Sequence, residues 1–165
     1  MDATDQLLQN NDRYAASFDE VGLSAPPALK VAIVTCMDAR LDPARALGLK
    51  PGDAHVIRNA GGVVTDDVIR SLSISQHHLD TEEIVLLQHT KCGMLTFTDE
   101  EFAAARELSR GLRPPWAART FGDLEAEVRE GVRSVLESPF VPRKQSVRGF
   151  VYDVDTGTVR EVSAA

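Results

Sequence analysis

Several things are scarce in this chain of 165 residues, and each scarcity excludes a class of protein. Basic residues do not dominate: 18 Lys and Arg face 25 Asp and Glu, a net charge of −7. Phosphate binding needs a concentrated cationic face, so nucleic acid is excluded as a main partner. No apolar run approaches the ~18–20 residues that a membrane helix needs. The first residues, Met1 to Gln6, carry neither a basic leader nor an apolar core, so no secretory signal is expected and the chain is assigned to the cytoplasm. Only two cysteines occur, Cys36 and Cys92, too few for a disulfide framework. Near a histidine in a reducing compartment, such a pair points instead to metal or catalysis. Internal repeats and low-complexity segments are missing as well.

What is present suits one globular domain over 1–165, since 43% of the residues are hydrophobic and 26% charged. Leu7, Leu8, Tyr14, Ala15 and Phe18 give residues 3–18 an amphipathic helical pattern. The loop through Gly22, Pro26 and Pro27 separates this segment from the body. Residues 1–20 are therefore read as a helical arm, which either packs on a partner subunit or covers its own domain.

From position 29 the pattern changes. Residues 31–35 form a continuous apolar run, the mark of a strand buried on both faces of a parallel sheet. Residues 54–58 and 83–88 are two further strands. Between them Thr65, followed by Asp66 and Asp67, predicts a helix start. Thr98 and Glu101 form a capping box for a helix to about Leu108, with Gly111 beyond it. Leu124, Val128, Val132 and Val135 place another helix over 123–137. Residues 147–153 and 158–162 close the chain as two strands around a turn at Asp155–Gly157. The order predicts an α/β fold: a mainly parallel central sheet flanked by helices, with an antiparallel C-terminal edge strand.

Three unusual segments follow three of those strands: Cys36-Met37-Asp38-Ala39-Arg40, Arg58-Asn59-Ala60-Gly61-Gly62 and His89-Thr90-Lys91-Cys92-Gly93. Ligands of open parallel sheets bind beyond the carboxyl ends of the strands, so a site is placed there. Two thiolates and an imidazole are donors that Zn²⁺ prefers. Cys36, His89 and Cys92 supply three such ligands, which suits a catalytic site with an open position better than a closed structural one. Asp38 is close enough in sequence to reach the metal or a water on it. Arg40 can hold the Asp38 carboxylate ionised and oriented, so that it accepts a hydrogen bond instead of ligating. Metal hydroxide attacking a small electrophile is the chemistry these residues suit.

The same three segments resemble the signature segments of the β-class carbonic anhydrases, and the likeness runs from about residue 28 to Gly157. Within that class the chain is most similar to the short prokaryotic and archaeal branch. The resemblance implies a zinc enzyme for the reversible hydration of CO₂ to bicarbonate and a proton, with one Zn²⁺ on Cys36, His89 and Cys92. It implies that Asp38 and Arg40 orient the hydroxide or, in a closed state, that Asp38 becomes a fourth ligand. It further implies a homodimer or higher homo-oligomer with sites at subunit boundaries, which would give the N-terminal arm a role.

The chain departs from that pattern at Ala39, where serine is frequent, and at Lys91, which either attracts bicarbonate or faces solvent. His55, His77 and His78 are read as surface or structural residues. Gly61 and Gly62 serve close backbone approach or an ordinary turn. Met94, Phe97 and Phe102 are assigned to core or interface. Three rival readings remain: a carbonyl sulfide or carbon disulfide hydrolase on the same fold, a non-catalytic zinc module, and a Cys36–Cys92 redox pair.

Overall fold

The structure is a computed structural model that describes residues 2–163; the first residue and the last two of the expected domain lie outside it. Among the described residues, five strands form one sheet in the order β2-β1-β3-β4-β5. They are β1 (Val31–Cys36), β2 (Ala54–Asn59), β3 (Glu83–His89), β4 (Ser146–Tyr152) and β5 (Val159–Val162). All neighbours run parallel except β4 and β5, which pair antiparallel, as the sequence predicts. Every residue of β1 after Val31 is buried, which is the burial that its unbroken apolar run requires.

The helices are α1 (Ala3–Ala16), α2 (Pro43–Leu47), α3 (Asp66–Leu79), α4 (Asp99–Arg110) and α5 (Leu124–Glu137). Their starts obey the expected chemistry: the Thr65 side chain accepts from Val68 N, and Thr98 and Glu101 complete the capping box. Gly111 then ends α4 in the left-handed conformation. Helix α2 is absent from the sequence reading, because five residues carry no periodicity. Its signal lies only in its ends, an Asp42 N-cap, Pro43 in the first turn and a left-handed Gly48.

Helices α3 and α5 cover one face of the sheet. Val68 and Leu72 of α3 and Val132 and Val135 of α5 meet Ala32, Val34, Ile84 and Leu86 there. On the opposite face Ile33, Leu41 and Leu87 form a smaller cluster. Helix α1 buries none of its residues against the body. No described helix is long and apolar enough to cross a membrane.

The topology decides where the site falls. β1 lies between β2 and β3, so the chain leaves β1 toward one side of the sheet and later returns on the other. The ends of β1 and β3 therefore flank a switch point, where a parallel sheet opens a crevice. Close helix–sheet packing beside it depends on Gly149 in β4. A Cβ there would stand 2.3 Å from Val128 Cγ1 and 3.2 Å from Val132 Cγ2. Gly149→Ala is expected to cost about 1–3 kcal/mol through overpacking, read as a fall of several degrees in thermal midpoint.

Candidate metal centre

Cys36 is the last residue of β1 and His89 the last of β3, so both are held by strand pairing and not by loops. Cys92 follows one turn later. Its loop is pinned to β4, since Thr90 N donates to Tyr152 O and Thr90 Oγ1 accepts from Val154 N. The potential ligand atoms of Cys36, His89 and Cys92 all lie within 4.8 Å of one another, and all three residues are buried. The His89 ring contacts the Thr90 carbonyl through Nδ1 at 2.9 Å, where only an N–H can satisfy both partners. That tautomer leaves the Nε2 lone pair free. His89 Nε2 is fully buried without a hydrogen-bond partner. A buried orphan acceptor between two thiols is costly on its own and is satisfied by a cation, so the residues fit one zinc ion.

The protonation of the group agrees with that fit. The adjacent Cys92 thiol draws Cys36 down, with support from the Asp38 and Gly61 backbone. Cys92 is pushed up in turn, first because its S–H is held in a hydrogen bond by the Cys36 sulfur and then because burial disfavours a second thiolate. Burial disfavours a charged His89 ring, yet the Cys36 sulfur, the Thr90 carbonyl and the Asp38 charge together outweigh it and raise the ring. A metal would replace these protons.

Asp38 stands beside this group, with Oδ2 at 3.7 Å from His89 Nε2. Arg40 grips it in a fork: Nε to Oδ1 at 2.9 Å, Nη2 to Oδ2 at 2.7 Å, and the Arg40 backbone N to Oδ1 at 2.9 Å. These bonds hold the Asp38 carboxyl far below the usual carboxylate range, against a smaller opposing effect of burial. Arg40 Nη2 also donates to Lys91 O at 2.9 Å, which joins the acidic residue's holder to the loop between His89 and Cys92. The sequence places Asp38 and Arg40 together; only the structure adds the Lys91 carbonyl.

An apolar cavity of about 450 Å³ opens on Cys36, Asp38 and Cys92. Met37, Met94, Phe97, Phe102 and Trp116 form much of its wall. Ring centroids step from Phe97 to Phe102 at 6.0 Å and on to Trp116 at 5.9 Å. Met94 is core, as expected, and Phe97 packs against the same cluster, but both of them and Phe102 also line the cavity beside the site. Trp116 and Ala118 are site residues that the sequence reading missed, since they sit after Pro114-Pro115 in a stretch without period. The Asp99 carboxylate fixes that stretch by accepting from Arg119 N, Thr120 N and Thr120 Oγ1.

The remaining candidates resolve individually. Lys91 faces solvent, as the second of its two readings has it, and its exposed ammonium pairs with Asp155. His55 Nδ1 meets Ser75 Oγ, which meets Thr81, a structural chain. His77 and His78 occupy the last turn of α3. Gly62 combines both roles considered for it, with φ of 63° and an imagined Cβ only 2.9 Å from Cys36 N. A side chain there would displace the end of β1 that carries Cys36.

Sheet, switch point and donor set together define a metal-dependent α/β enzyme with the ligands of a zinc protein. Residues 31–119 match the carbonic anhydrase family. The chain belongs to that family, in its β class. It is 54% identical to beta-carbonic anhydrase 1 of Mycobacterium tuberculosis over 163 residues, 99% of each chain. A crystal structure of carbonic anhydrase from Streptococcus mutans superposes with a TM-score of 0.94, at 46% identity and 99% coverage of both chains. Carbon disulfide hydrolase of Acidianus sp. is more distant, 35% identical over 155 residues, with 78% of this chain and 75% of that protein covered.

The depressed Asp38 carboxyl has a measurable consequence. Its pairing stabilises the fold above the unfolded-state pKa of about 3.9, and that stability is lost as pH falls through the lower folded value. Denaturant unfolding of metal-free wild type and Arg40→Gln is expected to show a gap near neutrality that narrows below about pH 4.

Proposed function

We propose that the chain catalyses the reversible hydration of CO₂ to bicarbonate and a proton, with Cys36, His89 and Cys92 as zinc ligands and Asp38 and Arg40 as the catalytic pair. The observation that carries this reading is the ionised, Arg-held Asp38 carboxylate beside a buried Cys–His–Cys group with an orphan nitrogen. When bound, zinc supplies the Lewis acidity that makes water nucleophilic near neutral pH. Asp38 accepts a hydrogen bond from the attacking water and so orients its lone pair toward the cavity. Arg40 keeps that carboxylate from being protonated and from turning inward. The apolar wall favours the neutral linear substrate and disfavours the anionic product, which helps bicarbonate to leave. The proton passes to buffer. A closed state in which Asp38 itself ligates is part of the same proposal.

The size and apolarity of the cavity also suit carbon disulfide, which gives a second reading on the same residues. Stopped-flow assay with CO₂ and then with carbon disulfide or carbonyl sulfide separates the two. Fast CO₂ turnover with little sulfide release is the expected result, and the reverse would replace the first reading with the second.

We further propose that 1–165 make up one domain, that residues 1–20 form an arm docking on a second copy in a homodimer or larger assembly, and that the protein works in the cytoplasm. The exposed Leu7, Leu8, Tyr14 and Phe18 support the arm, and two unpaired thiols suit a reducing compartment. Removing residues 1–20 is expected to halve the mass seen by light scattering. Cys92→Ala is expected to lose zinc by metal analysis. Asp38→Ala should keep about one zinc per chain and lose roughly 10²-fold or more in turnover, the scale of a general acid–base group.

A further inference from the structure

Arg58 does work that neither the metal ligands nor the Asp38–Arg40 pair explains. It stands opposite Thr35 in the β1–β2 register, so its side chain leaves the sheet on the face opposite that of Cys36. From there its guanidinium reaches three main-chain carbonyls of the segment after β1: Nε to Cys36 O at 2.9 Å, Nη2 to Asp38 O at 2.8 Å, and Nη2 to Leu41 O at 2.8 Å. Main-chain bonds from Leu41 N to Asp38 O and from Met37 N to Asn59 O complete the turn. A planar fork with several donors is the group that can satisfy diverging carbonyls at once, which a lysine cannot copy.

The segment so held contains both a metal ligand and the carboxylate beside the metal group. Asp38 Oδ2 already lies 3.7 Å from His89 Nε2, so a modest shift of the turn would bring it among the ligand atoms. Two ties oppose that shift. Arg40 holds the carboxylate itself, on one side, and is anchored to Lys91 O. Arg58 holds the backbone on the other side, and its bond to Asp38 O, the shorter of the two that this carbonyl accepts, must break or stretch if residue 38 moves.

We propose that Arg58 is a positioning residue for the Asp38–Arg40 pair: by holding the carbonyls of Cys36, Asp38 and Leu41, it keeps the Asp38 carboxylate back from the Cys36–His89–Cys92 group. The position next to those ligands is thereby left to solvent or an anion. This inference rests on the proposed zinc site and assigns to β2 a share in setting its open state.

The test uses full-length protein loaded with cobalt(II), whose visible spectrum reports its ligands, titrated with azide at one near-neutral pH. Wild type is expected to bind one cobalt per chain and to change spectrum with azide. Arg58→Gln is expected to keep the cobalt and bind azide at least about tenfold more weakly, because the open fraction falls by that factor. Removing the competing carboxylate, in Arg58→Gln with Asp38→Ala, is expected to restore the affinity of Asp38→Ala alone. Azide binding in Arg58→Gln equal to wild type would overturn the inference. So would weak binding that removal of Asp38 does not restore, since the clamp would then serve the ligands and not the carboxylate. If Arg58→Gln fails to fold or to hold cobalt, Arg58→Lys with and without Asp38→Ala decides by the same two comparisons. A wild-type chain that holds no cobalt would instead bring down the zinc site itself.

Discussion

The pairing of β1 with β3 is the constraint on which the rest of the molecule depends. Thr35 lies opposite Leu87, and the strands end together at Cys36 and at Gln88–His89. That register brings a sulfur and an imidazole to adjacent strand ends at the switch point of the sheet. Cys92 then needs only a short turn to join them. Because the strands are buried on both faces and hydrogen-bonded along their length, the donors are placed before any ion arrives.

Around this group the structure divides polar work from apolar work. One side is a chain of charge-assisted bonds, Asp38 to Arg40 and Arg40 to the Lys91 carbonyl. It keeps an anion beside the ligands without letting it neutralise them. The other side is a wall of methionine and aromatic carbon, whose low polarity strengthens the electrostatic interactions at its base. A small uncharged electrophile is served by that combination, a charged one is not. Gly62 lets the backbone after β2 press against the end of β1, so the wall and the ligands share one rigid edge.

Much of this was legible in the residues. The unbroken apolar run of β1, the capping residues Thr65, Thr98 and Glu101, and the spacing of Val128, Val132 and Val135 each carry a local physical meaning, and each led to the right element. The motif residues were legible because a thiol, an imidazole and a carboxylate–guanidinium pair have few uses at strand ends. Helix α2 was not legible, since one turn and a half gives no period to detect. Neither was the place of Trp116, Phe97 and Phe102, because an apolar side chain reads the same in a core, an interface or a cavity wall.

The sequence by itself determined the order of strands and helices, the donor types and their attachment to strand ends. These follow from hydrophobic period, capping chemistry and the preferences of soft ligands, all of which are local. Only the tertiary structure decided how near the three donors come, that Lys91 pairs with Asp155 while lending its carbonyl to Arg40, and that Arg58 reaches across to three carbonyls of another segment. Those contacts join residues 17 to 64 positions apart in the chain. No local pattern specifies them, since they arise from the register of parallel strands and from backbone groups that every residue carries alike.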